Sequence, residues 1–281
     1  MTILVTGATG NVGRSVVTQL LEAGAQVRAT SRNPESAGLP VEVLAADLAK
    51  PASFEQALDG VHEVFLFPSP EGAQGFVDLA KAKGVQRIVL LSSQAAAHEY
   101  YGDAPMRTMH LVVEQVLERS GIDWTFLRPG GFATNTLLWA QSIKDTGRVL
   151  VPYAESNTNS IHEADIAAVA VAALLQDGHV GQAYELTGPE SLTQRRQLEL
   201  IGAAIGREIE VVDQQGEEAR AALIEQFGGW GTVEFVDAMI RIQQNTIGKP
   251  ADLADGVQKV LGRPARTFAE WTEDHKADFT P

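Results

Sequence analysis

Along the first half of the chain the apolar positions follow two alternating rhythms. Short, strongly apolar or β-branched runs stand at TILVT (2–6), QVRATS (26–31), VEVLA (41–45), EVFLF (63–67) and RIVLLS (87–92). Between most of them lie stretches of helical period, which predict helices near 11–23, 51–58 and 73–83. A helix over 105–120 follows, with Leu111, Val112, Val116 and Leu117 as its apolar stripe and Gly121 as its stop, and then the strand DWTFLR at 123–128. Strands alternating with helices in this way predict an α/β fold, a doubly wound Rossmann-type parallel sheet covered on both faces, complete with six strands by residue 128.

Beyond residue 129 the rhythm loosens. A helix to about 146, short strands at VLVP and NSIHE, a helix over 164–176, the strand AYELTG and a helix near 193–205 precede EIEVVD, FGGWGT and two or three polar helices. The expected organisation is a dinucleotide-binding domain over 1–150, a partly interleaved stretch over 151–190, and a smaller α+β substrate lobe formed mainly by 191–281.

The turn TGATGNVG narrows the chemistry. Gly7, Gly10 and Gly13 recur every third residue between the first strand and the first helix, where one glycine permits the turn, one lets a pyrophosphate approach and one lets helix and strand pack closely. The free N–H groups of Asn11, Val12 and Gly13, with the neighbouring Thr9, complete an anion-binding helix start. The competing reading is a sharp turn with no ligand. After the second strand comes SRNP: Ser31 and Arg32 suit a ribose 2′-phosphate, where an NAD-specific site would place a carboxylate, so NADPH is the expected cofactor. Arg32 would otherwise be a solvated loop charge. Asp47 is placed to bond an adenine amino group or to cap the segment that follows, with Leu48 beside it. Pro68, Ser69 and Ser92 end the fourth and fifth strands and line the path to the nicotinamide, or else make local turn bonds. Phe132 and Asn135 after LRPGG, Tyr153 in VPYAESNTNS and Trp230 between glycines are candidates for contact with substrate. His162 and Asp165 are read as ordering the start of the helix after them.

Charge and composition exclude more than they add. The formal net charge of -14 opposes phosphate backbones and anionic membranes, so neither nucleic acid nor a membrane is an expected partner. With no cysteine, thiolate catalysis and zinc–thiolate sites are excluded, and a cytoplasmic setting fits. Residues 2–6 already read as a buried strand, so no signal peptide is expected, and no metal site is evident. A homodimer is compatible with the exposed helix faces, though no segment specifies one.

TGATGNVG, SRNP, AADLAKPASFEQAL, HLVVEQVLERSGIDWTFLRPGGFATN and HEADIAAVAVAAL together resemble the NmrA-like group of atypical short-chain dehydrogenases/reductases, over residues 1 to about 210. The resemblance implies an NAD(P)H-binding fold. It leaves activity open, because that group includes NADPH-dependent quinone and dye reductases as well as regulators that bind the dinucleotide without turning it over. The wider superfamily carries a Tyr-x-x-x-Lys pair, but here the residues four beyond Tyr100 and Tyr101 are Ala104 and Pro105. Comparison with related atypical reductases puts Met106 at the tyrosine position and His110 at the lysine position. His110 is the candidate catalytic residue, as proton or hydrogen-bond donor, with a surface pair to Glu114 as the competing reading.

Hydride transfer to a simple ketone makes a strongly basic alkoxide that needs an acid, whereas a quinone yields a stabilised phenolate. A site without the pair suits conjugated, quinone-like or polycyclic acceptors. A silent NADP(H)-binding sensor is the alternative, and an oxygenase or isomerase of a polycyclic biosynthetic substrate is the third reading.

Overall fold

The computed structural model describes residues 2–102, 104–227 and 231–280. Its framework is a seven-stranded sheet in which every neighbouring pair is parallel. The strands are β1 (Thr2–Val5), β2 (Gln26–Ser31), β3 (Glu42–Ala45), β4 (Val61–Leu66), β5 (Arg87–Leu91), β6 (Asp123–Pro129) and, later in the chain, β9 (Gln182–Leu186), in the spatial order β3-β2-β1-β4-β5-β6-β9. The order reverses between β1 and β4, and it is at the carboxyl end of β1 that the glycine turn lies.

The alternating pleat sends successive side chains to two separate cores. One face is covered by α1 (Asn11–Glu22) and α6 (Glu163–Leu175), which pack against each other and bury Val16, Leu20, Ile166 and Ala170 with Ile3, Val5 and Leu127. The other is covered by α2 (Ala73–Ala82) and α4 (Pro105–Ser120), with Phe76, Val113 and Leu117 over Leu4, Val64 and Phe126. Between β5 and α4 stand the short α3 (Gln94–Ala97) and a 3-10 turn, Glu99–Tyr101.

Two local expectations need correction. In place of a helix over 51–58 there is only a 3-10 segment, Pro51–Phe54, and turns up to Gly60, whose φ is +69°. Phe54 is pinned edge-on to Phe76 at 4.9 Å, and too few residues remain before β4 to repay the nucleation of a helix. In α4 the buried positions are Val113, Glu114 and Leu117, so the inward face is rotated from the predicted stripe: Leu117 stays on it, Val112 is 44% exposed, and the carboxylate of Glu114 is buried instead.

The lobe has its own core, formed by α5 (Ala140–Thr146), β7 (Arg148–Pro152), α7 (Gln194–Ile205), α11 (Phe268–Asp274) and α12 (Lys276–Phe279) around Ile143, Val151, Leu198 and Trp271. β7 pairs in parallel with β11 (Glu210–Gln214), and β8 (Asn157–Thr158) pairs antiparallel with β10 (Leu192–Thr193). The run NSIHE therefore supplies little strand: Ile161 makes only an isolated bridge to Phe132. α8 (Gly216–Phe227) and α9 (Val233–Thr246) pack on each other, and α9 also touches α4. α10 (Gly256–Leu261) returns to pack on α6 and β9, so the chain crosses between sheet and lobe repeatedly. Among the described residues no helix is long and apolar enough to cross a membrane.

Candidate functional site

The glycine turn is built for close approach. Gly7 has φ +60°, a conformation that glycine adopts without strain, and a Cβ there would lie 2.9 Å from the Cβ of Phe67. A Cβ at Gly13 would run into the carbonyl oxygen of Gly7 and stand 2.9 Å from Ala8 Cα, so the third glycine lets α1 rest on the turn. Gly10 is the N-cap of α1; no side chain caps it, and the first turn contains no acidic residue. The start of α1 thus presents uncapped N–H groups and positive helix-dipole potential over a backbone with no Cβ in the way. These features fit a pyrophosphate.

A cleft of about 270 Å³ opens from this turn. Gly7, Gly10, Asn11, Val12 and Gly13 of the turn line it together with Phe132, Thr134, Asn135 and Leu138 from the segment after β6 and with Phe65, Phe67 and Leu91. The structure therefore brings together the predicted turn residues and two of the predicted substrate residues, Phe132 and Asn135. Phe67 was not foreseen: closing an apolar run, it reads as more strand. It shares the side-chain parity of Phe65 one step beyond β4, and buried Thr6 fixes it there, since Thr6 Oγ1 donates to Phe65 O at 3.2 Å and accepts from Phe67 N at 2.7 Å. Phe67 is 46% exposed, and it also borders a narrow crevice shared with Leu48 and Ser69. Pro68 is buried beside it.

Ser31 ends β2, where its Oγ accepts from Asn33 N at 3.1 Å, and Arg32 is exposed, with no ion pair among the described residues. Thr9 is exposed on the turn, and its carbonyl accepts from Arg14 Nε at 3.1 Å. The same guanidinium donates from Nη2 to Ala37 O at 2.7 Å, so Arg14, also unforeseen, ties the turn to the loop that carries Arg32. Asp47 Oδ1 accepts from Ala49 N at 3.1 Å, a local turn bond that leaves Oδ2 with only a loose 3.9 Å pairing to Lys50.

Ser92 and His110 sit differently from expectation. Ser92 is 2% exposed, and its Oγ donates to Glu114 Oε1 at 2.6 Å. Arg128 grips the same carboxylate through Nε at 2.9 Å and Nη2 at 2.7 Å, and this hydrogen bonding holds the guanidinium above its ordinary pKa. Glu114 is thus committed to β5 and β6, and the surface His110–Glu114 pair is not formed. His110 is half-buried, its Nδ1 has no hydrogen-bond partner among the described residues, and burial pushes the imidazole down to about 4 against a smaller upward pull from Glu114.

Tyr153 is corrected. It is 4% exposed at φ +54° and belongs to the lobe interior, its hydroxyl accepting from Gln244 Nε2 at 3.0 Å and its N–H donating to Gln214 O; it does not line the cleft. Trp230 lies outside the described residues. His162 caps α6 through Nδ1, which accepts from Ala164 N at 3.1 Å. Asp165 does more than order that helix: it is fully buried and binds Arg263 Nη2 at 2.7 Å as well as the side chain and N–H of Arg266.

A family profile described as NAD(P)H-binding matches residues 7–177. The chain is 37% identical over 285 residues to a (4-alkanoyl-5-oxo-2,5-dihydrofuran-3-yl)methyl phosphate reductase from Streptomyces griseus, covering 99% of each. It is 37% identical over 292 residues to an NAD(P)H azoreductase from Xenophilus azovorans, again covering 99% of each. Among solved structures, an NADPH-dependent quinone oxidoreductase from Escherichia coli complexed with NADPH superposes with a TM-score of 0.77 at 25% identity, covering 97% of this chain and 99% of that one.

Proposed function

The chain belongs to the NAD(P)H-binding family, and from that premise we propose that it is an NADPH-dependent reductase that delivers hydride to a conjugated, quinone-like or polycyclic small molecule. The observation that carries the proposal is the shared cleft: an uncapped, glycine-lined helix start and Phe132, Asn135 and Leu138 line one cavity, with Phe65 and Phe67 as further aromatic lining. Bound NADPH supplies the hydride. The residues of the chain hold and orient: the turn takes the pyrophosphate, Ser31 and Arg32 take the 2′-phosphate, and Phe67 and Phe132 pack on flat rings and keep water away.

The chemistry of proton supply supports a conjugated acceptor. His110, neutral at physiological pH, offers a hydrogen bond but no imidazolium proton, and the hydroxyl of Ser92 is spent on Glu114. A delocalised anion needs only hydrogen bonding and can take its proton from water; an alkoxide cannot form so easily. The relatives named as an azoreductase and a quinone oxidoreductase act on conjugated acceptors, which favours the same reading here.

The test begins with parallel fluorescence titrations of NADPH and NADH, followed by initial rates with quinones and with simple ketones. Tighter binding of NADPH and turnover of quinones are expected. Turnover of ketones alone would reject the acceptor class. A silent NADP(H) sensor is the second reading, favoured by the commitment of Ser92, Glu114 and Arg128 to one another; it would bind both redox forms and consume neither.

A further inference from the structure

The segment joining β5 to α4 carries an aromatic group that is not among the residues lining the cleft at the glycine turn. In the 3-10 turn Glu99–Tyr101 the rings of Tyr100 and Tyr101 stack with centroids 4.5 Å apart and 28° between planes, and His98 lies 5.1 Å from Tyr100. Tyr100 is 63% exposed, more than any other large apolar side chain among the described residues. A tyrosine that served only to pack the turn would bury its ring; this one turns it to solvent at the carboxyl end of the sheet, the edge where open α/β folds bind their ligands.

The stack is held in place from below and tied to the cleft. His98 Nε2 meets Glu185 Oε2 at 2.8 Å, and Gln94 Nε2 donates to the same oxygen at 3.3 Å. Gln94 Oε1 accepts from Asn159 Nδ2 at 2.9 Å, and Asn159 Oδ1 accepts from Gly131 N at 3.1 Å, the residue before the cleft-lining Phe132. Asn159 also donates to the carbonyl of Asp252 at 2.7 Å, which brings that acidic residue to the same edge. Burial above all pushes both phenols upward; their mutual hydrogen bond raises Tyr100 further and pulls Tyr101 partly back, and Asp252 and Glu185 add a smaller upward push to each, so both rings keep their hydroxyl proton.

We propose that the Tyr100–Tyr101 stack, buttressed by His98 and Glu185, is the shelf on which a flat, uncharged ring of the acceptor lies, and that Asp252 and Glu185 beside it turn away acceptors bearing anionic substituents. The shelf deepens the reductase reading and rests on it for the identity of the occupant. Stacking reads the flat face of the ring, whereas the carboxylates read its charge, so the two features together select by shape and by sign of charge.

The experiment compares wild type, Tyr100→Ala, Tyr100→Phe and Asp252→Asn with a naphthoquinone and with the same ring carrying a sulfonate. Turnover by NADPH is measured alongside equilibrium binding of each quinone to the NADP+ complex by fluorescence quenching. Because Tyr100 is exposed, unchanged thermal melting and NADPH affinity are the folding controls. The expected result is that Tyr100→Ala weakens binding of the neutral ring, and raises its KM, by about tenfold with NADPH affinity unchanged, that Tyr100→Phe restores both, and that Asp252→Asn narrows the preference for neutral over sulfonated ring. Quinone binding that weakens in Tyr100→Ala without any turnover in wild type would support the shelf while rejecting the reductase. An unaltered quinone affinity in Tyr100→Ala, no rescue by phenylalanine, or no quinone binding by wild type at all would overturn the shelf.

Discussion

At the scale of single residues the site depends on backbone that no side chain is allowed to cover. Gly13→Ala would press a methyl group into the Gly7 carbonyl and Ala8 Cα, and α1 would have to lift from the turn. A loss of about 1–3 kcal/mol is expected from such overpacking, together with loss of NADPH binding, read by thermal melting and by fluorescence titration. Arg32, exposed and without an ion pair among the described residues, is proposed to act by charge, so Arg32→Ala should leave folding and NADH affinity unchanged. Loss of a charge-assisted hydrogen bond to the 2′-phosphate is worth about 1.5–3 kcal/mol, so NADPH should bind at least about tenfold more weakly. Equal weakening of both dinucleotides would place the 2′-phosphate elsewhere. His110 separates chemistry from binding. With its imidazole held down to about 4, the rate should show no inflection near the ordinary histidine pKa, and His110→Ala should lower kcat while the Kd for NADPH stays constant. An inflection near 6.5 that vanishes in His110→Ala would show instead that the residue works as an imidazolium acid.

Individual elements show what the sequence displays and what it hides. β1, α1, β4 and β5 were legible because each closes its own pattern within a few residues: apolar strand, glycine turn, amphipathic helix. The segment after Pro51 and the burial of Glu114 were not, because a contact to Phe76 decides the first and the partners Ser92 and Arg128, distant in sequence, decide the second. The same blindness covers the C-terminal elements, which are fastened to α6 by residues about a hundred positions away. Glu163 accepts from Trp271 Nε1 at 3.0 Å and meets His275 Nε2 at 2.7 Å, while His162 Nε2 stands 3.2 Å from Asp274. Burial opposes charge on both Glu163 and His275, yet their hydrogen bonds outweigh it: the carboxyl is held below its usual range with help from His162, and the imidazole is raised by Glu163 and Asp278. Stabilisation by a raised histidine is fully present below its unfolded pKa near 6.5 and fades as pH climbs through the higher folded value; that by a lowered carboxylate is present above its unfolded pKa near 4.5 and fades in acid. Melting temperature should therefore fall from pH 6 towards pH 8 by an amount that His275→Gln abolishes. A mutant that retains the same slope would show that other groups set it.

For the molecule as a whole, the net charge sets a problem that the site solves locally. A chain of formal charge -14 must admit a dinucleotide that is itself strongly anionic. The long-range field would oppose encounter, while in the proposed site the uncapped start of α1, Arg14 beside the turn and Arg32, without an ion pair among the described residues, would supply attraction only at close range. These two contributions respond differently to salt, because screening acts over about 10 Å at 0.1 M and weakens distant repulsion more than contact pairing. The association rate for NADPH should therefore rise as salt increases from about 0.02 to 0.2 M, the opposite of electrostatic steering, while the dissociation rate rises too as the Arg32 contact is screened. Arg32→Ala should keep the first effect and lose most of the second, since it leaves the overall field nearly intact and removes the local pair. Stopped-flow fluorescence separates the two rates. An association rate that falls with salt would mean that a local basic field governs encounter despite the acidic exterior, with Arg14 as the cation to replace next.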